Sequence, residues 1–186
     1  MYAIETLWLP ILLSAIAVFV ASSVIHMATP WHKNDFSKVP DENAVMSALR
    51  SFAIPYGEYM MPKAGSMNEM KSPEYKAKMT SGPNLIMTVM RPGPMSMSKF
   101  MIQWFVYVLV VSIAVGCLAS ATVVHGALSH RVFHVVGFTA FLTYSAAIWP
   151  FSIWYQRPWM TTIRSTIDGL IFALITGGIF VQFWPK

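Results

Sequence analysis

The sequence predicts an all-α membrane protein with four transmembrane helices and a small cytoplasmic segment of short helices between helices 1 and 2. Three observations carry that prediction. Apolar residues make up 55% of the chain and charged residues 11%, whereas an ordinary soluble domain has about 25% charged residues. The charges gather between Lys33 and Lys99 and leave long neutral stretches elsewhere. Four of those stretches come close to the roughly 20 residues needed to cross bilayer hydrocarbon.

The first stretch runs from Leu7 to Met27 and the second from Phe100 to Val124, both without a charge. The third, Val132 to Trp149, is the shortest, and the fourth, Ile163 to Trp184, carries Arg164 and Asp168 in its first turns. No Lys or Arg precedes the first stretch and no clear small-x-small site follows it. It is therefore expected to stay as a span rather than be removed as a leader. The divisions are 1–27 for the first helix, 28–98 for the juxtamembrane segment and 99–186 for helices 2–4.

Orientation follows from the distribution of Lys and Arg. With the N-terminus outside, Lys33, Arg91, Lys99, Arg157 and Arg164 lie at the cytoplasmic ends of spans, and only Arg131 and Lys186 stay outside. The positive-inside rule then puts both termini outside the cytoplasm. Trp8, Trp31, Trp104, Trp149, Trp154, Trp159 and Trp184 fall near the expected interfaces, where indole rings concentrate. The net charge of +5 is read as topology and contact with anionic lipid rather than as nucleic-acid binding, because no basic cluster with interleaved aromatics occurs. Cys117 is the single cysteine, so no internal disulfide, thiolate zinc site or CxxC pair can form.

Between the first two spans, local signals punctuate the chain. Pro40-Asp41-Glu42 opens a short helix through Ser51, acidic at its start and basic at Arg50, as the helix dipole favours. Ser66-Met67-Asn68-Glu69 has capping-box spacing. Ser72-Pro73-Glu74 starts a further helix that Gly82-Pro83 stops. Leu85–Met90 fits either a strand or an interfacial stretch. With so few apolar residues, the segment is expected to fold against the membrane face rather than alone.

Several strings occur in a fixed order: VIHM (24–27), IPYGEYMMP (54–62), EMKSPEYKAKM (69–79), GPNLIMTVMRPGPMSMSK (82–99), SIWYQRPW (152–159) and DGLIFALITGG (168–178). In these the chain resembles an uncharacterised family of small bacterial four-helix integral membrane proteins. The resemblance covers nearly the whole length. It implies a bacterial source, hence the inner membrane, and a shared fold. It brings no activity, cofactor or catalytic residue.

Candidate residues fall into four groups. Ser112, Gly116 and Ser120 share one face of the second span, and Gly169, Ala173 and Gly177 share one face of the fourth. Small side chains at four-residue spacing let helix backbones approach closely. His125, His130 and His134 cluster at the second outer loop, and the last two share a helix face at metal-ligand spacing, without a nearby acid. His26 and His32 bracket the cytoplasmic end of the first span and weigh less. Arg164 and Asp168, four residues apart at the start of the last helix, are expected to form a boundary ion pair. Ten of the fourteen methionines fall between Met60 and Met101. Thioethers suit Cu(I), but irregular spacing without interleaved His or Cys favours adaptable packing.

No nucleophile–base motif, phosphate loop or broken-helix repeat appears. The expected role is therefore non-enzymatic. The chain would act by association in the membrane, with lipid around it and a protein partner or further copies of itself beside it. The alternative is a small metal- or lipid-binding or transport protein. The residues specify no cofactor.

Overall fold

The computed structural model describes residues 4–124 and 126–185. Helix α1 (Trp8–Ser23) is entered through a 3-10 turn at Ile4–Leu7 and leaves through a π turn at Val24–Ala28. Then come α2 (Glu42–Ser51), β1 (Gly57–Met61), α3 (Met67–Lys71), α4 (Pro73–Ser81) and β2 (Leu85–Val89). The chain closes with α5 (Met97–Thr122), α6 (Ser129–Ser145), a 3-10 turn at Ala146–Ile148, α7 (Trp149–Tyr155) and α8 (Trp159–Gln182). Four helical stretches are long and apolar enough to cross a membrane: Ile4–Ala28, Met97–Thr122, Ser129–Tyr155 and Trp159–Gln182. The third is longer than expected, because the 3-10 turn Ala146–Ile148 and α7 carry helix on through Tyr155.

The chain forms two compact units. One comprises the residues up to Phe36 and from Ser96 onward, so the nine residues after the first span, 28–36, fold with the helices rather than with the segment that follows. In this unit α6 packs along α8, and α1 packs against both α5 and α8. Glycine makes the approach close. A methyl group at Gly177 would stand 3.0 Å from the Phe133 ring, one at Gly116 2.8 Å from Ile11 Cδ1, and one at Gly169 would collide with the Ser145 side chain. Those neighbours lie on α6, α1 and α6, so the small-residue faces of α5 and α8 are occupied within this chain. Ser112, Gly116, Gly169, Ala173 and Gly177 are buried, whereas Ser120 sits at the margin, half-buried. Val111, Val115, Val136, Ala173 and Phe180 belong to one buried cluster, and Ala15, Val18, Val108 and Phe172 to a second.

The other unit is Ser37–Met95. Its helices begin where the local signals put them. Asp41 accepts from the Ala44 amide, Ser66 from Glu69 and Ser72 from Tyr75, and Pro73 opens α4 at the position where a missing N–H costs nothing. The Glu69 carboxylate reaches back to the Gly65 amide, one residue before the position a capping box uses. Leu85–Val89 is a strand, paired antiparallel with Gly57–Met61 in the register Tyr59↔Met87. That two-stranded pair is the departure from an all-helical segment. Local spacing around Tyr59 gave no sign of it, because its pairing partner lies some thirty residues on. None of the described residues of this unit is buried.

Candidate functional site

The end of the first span is built to turn. Ser22 and Ser23 both return their hydroxyls to the Phe19 carbonyl, and Thr29 returns its hydroxyl to Ile25. Such back-bonding competes with the helical ladder and bends it. The helix widens into the π turn Val24–Ala28, a feature frequent at functional sites. Trp104 Nε1 donates to Ser22 Oγ at 2.7 Å and ties this end of α1 to α5. Two short backbone turns, Lys33 N to Pro30 O and Asp35 N to His32 O, then bring Trp31, His32 and Asp35 back against α8.

The side chains of this stretch meet Arg164 and Asp168 in a closed polar knot. His32 Nδ1 lies 2.6 Å from Asp35 Oδ2, and His32 Nε2 lies 2.7 Å from Asp168 Oδ2. Carboxylate oxygens accept, so each imidazole nitrogen is placed to donate. Trp31 Nε1 donates to Asp168 Oδ1 at 3.0 Å, and Arg164 donates to Asp35 Oδ1 at 2.8 Å. Side-chain exposure is 14% for His32, 9% for Asp35, 5% for Asp168 and 21% for Arg164. Burial would raise the Asp35 carboxyl. The hydrogen bonds from His32 and Arg164, with their positive charge, outweigh it and hold that carboxyl below the usual carboxylate range. His26 completes the group. Its ring stacks on His32 with centroids 4.2 Å apart and planes 10° apart, while its Nδ1 lies 3.0 Å from the Ser22 carbonyl.

The boundary pair expected between Arg164 and Asp168 is replaced by two longer-range pairs, Arg164 with Asp35 and Asp168 with His32. Magnitudes explain the choice. A four-residue ion pair on a helix surface contributes about 0.2–0.5 kcal/mol, while each hydrogen bond to a charged group contributes about 1.5–3 kcal/mol. Asp168 gains two of the latter from Trp31 and His32.

His130 and His134 do not gather in the same way. His130 and His134 are both exposed, with ring centroids 6.1 Å apart, and His125 lies outside the described residues. Among the described residues, the group with metal-ligand proximity is His26, His32 and Asp168, whose ligand atoms lie within 4.8 Å of one another. Met60, Met61, Met67, Met70, Met90 and Met95 are exposed. The available signal for the site was His26, His32 and Asp35 crowded at the end of a span, together with a carboxylate inside another span. Compared with family models, curated proteins and solved structures, the chain matches none.

Proposed function

We propose that this is a non-enzymatic, multi-pass membrane protein that binds a cation at the end of its helix bundle. The observation that supports it is the gathering of His32, Asp35 and Asp168, little exposed, with the exposed ring of His26 stacked on His32, where the exit of the first span meets the start of the last. Both nitrogens of His32 and both oxygens of Asp35 and Asp168 face partners within the knot, which holds these groups in place beside His26. Under the positive-inside rule the site opens to the cytoplasm of a bacterial cell, with both termini across the inner membrane. The test is thermal unfolding of the purified protein in mild detergent with a panel of mono- and divalent cations. A cation at a hundred times its dissociation constant should add about 2.7 kcal/mol, and Asp168→Asn should abolish the shift. If no cation moves the transition, the reading fails.

Association with a protein partner or with further copies is the second reading. The unit Ser37–Met95 favours it, because no described residue there is buried while Phe52, Met60 and Ile86 are exposed. The small-residue seams give it no weight, since their faces are filled by helices of the same chain. Mass measurement of the detergent-solubilised protein tests this reading, and a stable lone monomer would remove it.

A further inference from the structure

We infer that the imidazoles of His26 and His32 and the carboxylate of Asp168 form a binding site for a divalent first-row transition metal. The inference rests on the cation-binding reading and names the class of cation. Proximity is the first argument. One ligand atom from each residue lies within 4.8 Å of the others, so a metal bound at about 2.0–2.2 Å from nitrogen and oxygen needs His26 to move inward and the His32–Asp168 contact to open. His26 is exposed at the loosened end of the first helix, so its ring is the one free to move.

Second, every ligand has its other polar atom already held. A carbonyl oxygen only accepts, so the Ser22 contact puts the His26 hydrogen on Nδ1 and leaves the lone pair on Nε2. His32 Nδ1 is held by Asp35, which Arg164 fixes in turn. Asp168 Oδ1 is held by Trp31, leaving Oδ2 toward His32. Metal-ligating histidines nearly always give their second nitrogen to a carboxylate or a backbone carbonyl, which sets tautomer and ring direction. Both forms of that support occur here, one on each histidine. Coordination would replace the Nε2 hydrogen of His32, whose proton leaves to solvent, and the 2.7 Å contact between Nε2 and Asp168 Oδ2 would open to admit the ion.

Third comes ligand chemistry. Mg²⁺ and Ca²⁺ bind through oxygen. Two imidazoles and one carboxylate instead suit zinc, cobalt, nickel or ferrous iron, and three protein ligands leave at least one position open to water or a second ligand.

The experiment uses full-length protein in mild detergent, stripped with a chelator and titrated with Co²⁺, whose visible absorption reports the bound ion. One ion per chain is expected, displaced by Zn²⁺ and unaffected by equal Mg²⁺ or Ca²⁺. His26→Ala should abolish the band, with His26→Gln as the second variant should the alanine form not fold. Asp35→Asn should keep the band and weaken binding about 10–100-fold, the usual cost of losing an outer-shell partner. Cobalt binding that survives both His26 variants would overturn the site. Tight Mg²⁺ or Ca²⁺ binding without cobalt would overturn the metal class while leaving the cation reading intact. Failure of every cation would overturn both.

Discussion

Helix α8 holds its neighbours in two different ways along its length. Near its start, Arg164 and Asp168 bond to Asp35, His32 and Trp31, residues more than 125 positions earlier in the chain. From Gly169 to Gly177 it makes no comparable side-chain bonds to α6; the two helices approach because glycine leaves room for Phe133, Ser145 and the Gly137 backbone. The polar contacts gain their strength from charge in a poorly hydrated place, and they fail at once if a partner is missing. The seam gains its strength from dispersion over closely spaced atoms, and it fails when something is added. Removal should therefore damage the first part of the helix and addition the second.

The largest effect is expected from removal. Asp168→Ala leaves His32 Nε2 and Trp31 Nε1 without their acceptor, and breaking a buried charged pair by deleting one partner typically costs about 3–5 kcal/mol. Thermal unfolding of the metal-free protein in mild detergent should show that loss. A double-mutant cycle locates it. The coupling between Asp168 and His32 should exceed the coupling between Asp168 and Arg164, since the structure pairs the former. Larger coupling to Arg164 would restore the local ion pair and undo the contrast.

The two halves of α8 were also unequally legible. A four-residue spacing of small side chains is a local pattern, and a helix turns it into a face without reference to the rest of the chain. Gly169, Ala173 and Gly177 could therefore be picked out from the sequence alone, as could the caps at Asp41, Ser66 and Ser72. Asp168 could be flagged too, because a carboxylate inside a span needs a partner. Its partner could not be read. Arg164 was the charge within local reach, while His32 comes into reach only after the chain has bent at the π turn and folded back on α8. The pairing of Gly57–Met61 with Leu85–Val89 was hidden for the same reason. Local chemistry suggests that a strand is allowed, but only its pairing, some thirty residues away, makes it one.

The smaller effect concerns addition at the seam. Gly177 faces the Phe133 ring, and even a methyl there would stand 3.0 Å from two ring atoms and 3.5 Å from the Gly137 Cα. Gly178, one position on, has nothing within 4 Å of the same point and is exposed. Successive residues on a helix point about 100° apart, so the pair compares two faces at one depth with one chemical change. Gly177→Leu must push Phe133 aside or separate α6 from α8, and overpacking of this kind costs about 1–3 kcal/mol. Gly178→Leu adds an apolar side chain to an exposed, apolar helix surface and should be neutral or slightly favourable to insertion. The unfolding temperature in mild detergent should fall for Gly177→Leu and hold for Gly178→Leu. If both variants lose stability equally, the cost belongs to leucine in this helix and not to the α6 contact, and the seam would no longer count as the packing half of α8.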